Sequence, residues 1–175
     1  MKRQKEMSMP VRLARDSIAE FLKNNRNMDL PDYLPKWLTD KKAGVFVSLK
    51  KRGRLRGCIG TFVPTRECIA LEIIENAISA AIRDPRFSSV YLSELEDISI
   101  SVDILSQPET VHHVSELDPK QYGIIVSKGL RKGLLLPDLE GVDKVEKQLY
   151  IALQKAGIQP EEDYQIERFE VKRYR

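Results

Sequence analysis

The chain has 175 residues, of which 42% are hydrophobic and 31% charged, a balance that argues against disorder and against membrane residence. At this length folding buries roughly 70% of the unfolded surface, enough for a core without disulfide or metal staples. The formal net charge of +3, from 29 basic and 26 acidic residues, is smaller than nucleic-acid-binding domains usually carry.

The basic start Met1-Lys2-Arg3-Gln4-Lys5-Glu6 is not followed by the apolar segment of a signal peptide. Val11, Ala14, Ile18, Phe21 and Leu22 then recur at helical spacing and predict a helix over 11–23, with Pro10 tolerated in its first turn. The Asn-, Asp- and Pro-rich stretch 24–40 reads as a connector with one short helical turn near Trp37. A strand over 44–49, a basic turn around Gly53 and a second strand over 55–62 make a hairpin. Thr65 is the expected N-cap of a helix through Ile82, whose Ala70, Ile74, Ala77, Ile78 and Ala81 form a wide apolar face, and Asp84-Pro85 ends it. Ile98, Ile100, Val102 and Ile104 alternate with Ser99, Ser101 and Asp103, the pattern of a half-buried strand.

The second half repeats this order. A strand over 123–127 echoes 44–48, another glycine turn leads into Leu134-Leu135-Leu136, a helix covers 142–156 with Gly157 as its stop, and a last strand lies within 164–171. The whole predicts an α+β fold, a leading helix plus two ββαβ repeats at 44–105 and 123–172, with helices on antiparallel sheets.

Strict alternation on the second strand puts Arg56, Cys58, Gly60 and Phe62 on one face and Leu55, Gly57, Ile59 and Thr61 on the other. Gly57 and Gly60 are costly within a strand and mark a bulge or the close approach of a ligand or another backbone. Cys58 therefore has two readings. It is a small packing residue, or it is a thinly covered thiol whose thiolate a guanidinium on Arg56 would favour, a candidate nucleophile. Leu134, the similarly placed residue of the second repeat, shows that the architecture does not itself demand a cysteine.

Arg83-Asp84-Pro85-Arg86-Phe87 is a second cluster, read either as an anion-binding turn or as a pair that fixes the helix end. Both clusters flank the same helix. Lys50, Lys51, Arg52, Arg54 and Arg56 read first as a solvated hairpin tip. His112 and His113 have no ligand-spaced partner, and no phosphate loop, dinucleotide fingerprint or nucleophile elbow is present, so neither metal nor cofactor is expected.

Leu-Arg-Gly-Cys-Ile-Gly-Thr-Phe at 55–62 resembles the signature of the AMMECR family. Gly44-Val45-Phe46-Val47, Asp84-Pro85-Arg86-Phe87, Gly133-Leu134-Leu135-Leu136-Pro137 and Lys155-Ala156-Gly157 resemble further landmarks in the family's order, with Asp138-Leu139 departing from it. The C-terminal wording is similar to prokaryotic members of the AmmeMemoRadiSam system, which are associated with a Memo-like protein and a radical SAM protein. The resemblance implies a single domain over 8–175 made of two intertwined parts around a cleft near the octapeptide. It brings no established activity. The resulting expectation is a cytoplasmic accessory or catalytic component acting on a small-molecule or peptide substrate, with Cys58 as candidate nucleophile. Arg56, Gly57, Gly60, Thr61, Asp84 and Arg86 would form the ligand-binding group. The alternative is a non-catalytic interaction or regulatory module, and nucleic-acid association ranks below both.

Overall fold

In the computed structural model, which describes residues 7–175, the elements run α1 (Met9–Asn24), α2 (Lys36–Thr39), β1 (Val45–Lys51), β2 (Arg54–Thr61) and α3 (Ile69–Ile82). A 3-10 turn at Leu92–Asp97 leads into β3 (Ile98–Leu105) and β4 (Glu109–Thr110). After a second 3-10 turn come β5 (Gly123–Lys128), β6 (Arg131–Leu135), α4 (Val145–Ala156), β7 (Gln165–Phe169) and β8 (Val171–Tyr174). The architecture is α+β, with two four-stranded sheets ordered β2-β1-β3-β8 and β4-β7-β5-β6.

The chain divides into two units, one made of residues up to Ile104 plus Arg173–Arg175, the other of Leu105–Lys172. In the first, β1 lies between β2 and β3, antiparallel to both. Val45, Val47 and Leu49 on its inner face are fully buried, as are Ala70, Ile73 and Ala77 of α3. α3 packs on β1 and β2, and α1 packs in turn on α3. The buried stripe Val11, Leu13, Ala14, Ser17 and Ile18 has the 3.6-residue period that lets one face of α1 do this. Asn25, at φ 52, closes α1 by donating its N–H to the Phe21 carbonyl.

In the second unit β5 pairs antiparallel with β6 and β7, and α4 packs on β5 and β6. Ile124, Val126, Leu135, Ala152 and Leu153 are at the centre of its core. Gly157, at φ 66, ends α4 and donates its N–H to the Gln154 carbonyl.

Three boundaries differ from the sequence expectation. α3 begins at Ile69 with Cys68 as N-cap, not at Thr65. Thr65 is held instead by Glu72, which accepts hydrogen bonds from the Thr65 N–H and hydroxyl and from the Arg66 N–H. α4 starts at Val145 because Val142 is taken up by a turn, its N–H donated to the Leu139 carbonyl beside Gly141 at φ 76. The C-terminal strand is two strands in two sheets, parted at Glu170, whose N–H donates to the Ser106 hydroxyl and whose carbonyl accepts the Ser106 N–H.

Candidate functional site

β2 is an edge strand, so every second peptide group along it points away from β1. The register shifts between Leu49 and Lys50: Leu49 faces Gly57, Lys50 faces Leu55, and Arg56 is the extra residue of a β-bulge. The bulge breaks the strict alternation expected of 55–62. It turns Arg56 to the loop behind α3, where the guanidinium donates to the Ser88 carbonyl (2.7 Å), the Ser89 carbonyl (3.2 Å) and Glu94 (3.0 Å). Lys51 reaches the same carboxylate at 2.9 Å. Hydrogen bonds from Arg56 first, then from the Tyr91 N–H and Lys51, lower the Glu94 pKa to about 2. Arg56 is thus a pin for residues 88–94.

The two glycines answer to internal packing. A Cβ on Gly57 would lie 2.1 Å from the Ala80 carbonyl oxygen, so α3 can rest on β2 only where that side chain is missing. A Cβ on Gly60 would lie 2.2 Å from the Phe46 ring, which covers Gly60 from the neighbouring strand. Gly133 repeats the first arrangement in the second unit, where its Cβ would meet the Ala152 carbonyl oxygen at 2.1 Å. Gly57 and Gly133 therefore sit at matching places, and so do Cys58 and Leu134.

Cys58 is half-buried and faces Ser48 across the strand pair, its Sγ 3.1 Å from the Ser48 Oγ. Its N–H and its carbonyl both point to the open edge, and both are clamped. The Cys58 N–H donates to Asp84 Oδ2 (2.9 Å), and its carbonyl accepts from Arg86 Nη2 (3.3 Å). Asp84 is 4% exposed and also accepts from Arg86 through Nε (3.0 Å), Nη2 (2.7 Å) and the backbone N–H (3.1 Å). The Arg86 side chain first, with the Cys58 N–H next among the stabilising contacts, holds the Asp84 carboxyl well below the usual carboxylate range despite burial. Asp84 in turn raises Arg86, and the Cys58 sulfur acts on it in the same direction. Nη1 of Arg86 has no hydrogen-bond partner among the described residues, and more than half of that side chain is exposed.

Of the residues singled out in the sequence, the structure brings together Cys58, Asp84 and Arg86. Gly57 and Thr61 belong to the opposite, helix-facing side of β2. Thr61 donates its hydroxyl to Glu72 and accepts from Asn76 Nδ2 at 3.1 Å, and Asn76 also reaches the Val45 carbonyl. Glu72, 1% exposed, gathers four donors from Thr61, Thr65 and Arg66, and sequence reasoning passed over it. The legible signal was a carboxylate on the stripe Ile69–Glu72–Asn76, at helical spacing on an otherwise buried helix. Cys68 is buried at the start of α3. His112 and His113 are exposed and donate their backbone N–H groups to Glu116. Among the described residues no group of three or more His, Cys, Asp or Glu side chains is placed to hold a metal ion. No described helix is long and apolar enough to cross a membrane.

A family model described as AMMECR1 matches residues 11–175. A Clostridium acetobutylicum protein is 54% identical over 166 residues, covering 94% of this chain but 35% of its own length, so the chain spans about a third of that relative. A Thermotoga maritima protein is 54% identical over 161 residues, covering 90% of this chain and 92% of its own. Among solved structures, that of the uncharacterized protein PH0010 from Pyrococcus horikoshii matches with a TM-score of 0.84 and 34% identity. It covers 94% of this chain and 88% of that one.

Proposed function

The chain belongs to the AMMECR1 family, and from that premise we propose that it is an accessory component that presents an anionic small-molecule or peptide-borne substrate beside the Cys58 thiol. The observation that supports this is the pair Asp84–Arg86. It holds the Cys58 N–H and carbonyl together and leaves Nη1 of the half-exposed Arg86 without a hydrogen-bond partner among the described residues, next to the residue that carries a half-buried thiol. A preformed guanidinium is suited to a carboxylate or phosphate, because its donors are already oriented.

The sulfur's one hydrogen-bond partner among the described residues is a hydroxyl, and no imidazole or carboxylate base is bonded to it. That arrangement favours a substrate-holding thiol over a self-sufficient nucleophile, since an activated nucleophile is normally paired with a base. The chemical step then falls to partners, which on the family resemblance are a Memo-like protein and a radical SAM protein. Arg56 enters this reading as a support, through its bonds to the 88–94 loop.

The test is a reconstituted mixture of the three proteins, assayed for turnover. Cys58→Ser and Arg86→Gln are each expected to cut activity by tenfold or more, while Cys68→Ala leaves it unchanged. Full activity with Cys58→Ser would remove the thiol from the function. An interaction module remains the second reading, and it draws on the open edge of β2 beyond Cys58. Alternation of the hydrogen-bonding pattern turns the N–H and carbonyl of Gly60 toward that edge. The exposed Phe62 and Val63 follow it. The glycines themselves no longer argue for an approaching partner, because Ala80 and Phe46 fill the space over them.

A further inference from the structure

The tip of the first hairpin carries Lys50, Lys51, Arg52, Arg54 and Arg56. Glu94 takes two of them, Lys51 and Arg56. For Lys50, Arg52 and Arg54, all exposed, no carboxylate lies within ion-pair distance among the described residues. In the matching hairpin of the second unit Glu162 likewise takes two cations, Lys128 and Arg131 at 3.0 and 2.6 Å. The tips differ in what is left over among the described residues, Lys132 in the second against three in the first.

The conformation of the first tip points the same way. Its two loop residues, Arg52 and Gly53, have φ 52 and φ 78, as a type I′ turn requires. Asparagine or glycine is the inexpensive choice at the first of these positions, and arginine is held there against its backbone preference. The turn thus gains nothing from Arg52, whereas a ligand would. Around it lies an open groove of about 510 Å3 lined by Lys51, Arg52, Arg54, Leu55 and Arg56, a size that suits a small ligand. Tyr91, with 71% of its surface exposed, donates its N–H to the same Glu94 carboxylate that receives Arg56. The backbone of Tyr91 is thus tied to the carboxylate that also holds Arg56 of the groove lining, and its side chain is exposed.

We propose that the β1–β2 hairpin is a nucleotide-binding arm, in which Arg52 and Arg54 take the phosphates in the groove and the Tyr91 ring takes the base. Guanidinium forks match phosphate oxygens, and base–aromatic stacking tolerates any base. The arm is separate from the Cys58 reading, since it uses neither Cys58 nor Arg86. A free nucleotide and a nucleotide within a single strand share this chemistry, and the modest net charge favours the free form.

The experiment measures binding to the full chain at about 50 mM salt, where phosphate contacts are strong, with ATP, tripolyphosphate and a short oligouridylate as probes. ATP is expected to bind more tightly than tripolyphosphate, and Tyr91→Ala to abolish that preference. The double variant R52N/R54S should weaken ATP by about tenfold or more. Its Asn-Gly turn is the favoured one, so it will fold. Oligouridylate binding more tightly than ATP, with a steep salt dependence that R52N/R54S flattens, would identify the strand as the source of the same phosphate-and-base chemistry. No binding of any probe, equal affinity for ATP and tripolyphosphate, or binding indifferent to R52N/R54S would overturn the proposal.

Discussion

At the scale of single residues, two carboxylates organise what surrounds β2, and each does so by concentrating donors. Asp84 closes the edge at Cys58, and Glu94 gathers Arg56, Lys51 and the Tyr91 N–H. The Glu94 pKa is lowered from 4.5 to about 2, so its contribution to stability is fully present above pH 4.5 and is lost as the pH falls toward 2. Because the carboxylate is partly hydrated, the contribution is about 1–2 kcal/mol rather than the full linkage value. Denaturant unfolding of the parent and of Glu94→Gln should differ by this amount at pH 6, and the difference should shrink to near zero by about pH 2. A difference that persists at low pH would mean that the side chain acts through packing and not charge. The participation of Asp84 and Arg86 was legible in the sequence as a charged cluster at a helix end. The direction of Arg56 was not, because Gly57 marks a bulge and a close approach alike, and one bulged residue reverses the face on which a strand side chain sits.

At the scale of elements, the two hairpin-and-helix assemblies share one packing solution, a glycine on the second strand under a helix carbonyl. Gly57→Ala and Gly133→Ala would each drive a methyl group into backbone, at 2.1 Å from Ala80 O and from Ala152 O. Each is expected to cost about 2–3 kcal/mol, the upper range for overpacking. Gly53→Ala meets open space and suffers only the strain of its positive φ, about 1 kcal/mol. Unfolding curves of the three variants check the order, and a Gly57→Ala loss no larger than that of Gly53→Ala would contradict it. Helix and strand identity were readable from hydrophobic period, as in 98–102, where buried Ile98, Ile100 and Val102 alternate with the less buried Ser99 and Ser101. Boundaries were less so. Thr65 has the chemistry of an N-cap, but Glu72 competes for it, and only the tertiary position of Glu72 decides the outcome. The imperfect alternation of 164–171 was the trace of two strands that belong to different sheets.

At the scale of the whole chain, the last strand is what makes the first unit discontinuous in sequence. β8 joins the first sheet beside β3, Arg173 forks onto the buried Asp103 with two bonds of 2.7 Å, and Tyr174 stacks on Trp37 at 5.9 Å. Ending the chain at Glu170 would strip β3 of its edge partner and Asp103 of its guanidinium. The expected loss is about 3–5 kcal/mol, and Asp103→Asn should restore part of it in the shortened chain. Thermal unfolding measures both, and an unchanged melting point after truncation would show that the returning strand is dispensable. Both units carry the order ββαβ, with Gly57 and Gly133 in matching places. Cys58, whose counterpart is Leu134, is then a feature of one half alone.

The most direct test of the central claim is native-state alkylation of Cys58 in a Cys68→Ala background, comparing anionic iodoacetate with neutral iodoacetamide. If Arg86 presents a free guanidinium nitrogen beside an accessible thiol, Cys58 is labelled while the protein is folded. Arg86→Gln should then lower the iodoacetate-to-iodoacetamide rate ratio by about threefold, the effect of removing one nearby charge in a partly hydrated site, and Arg86→Lys should preserve it. Labelling that waits for unfolding, or a ratio indifferent to Arg86→Gln, would contradict the account and leave Cys58 as a packing residue of an edge strand.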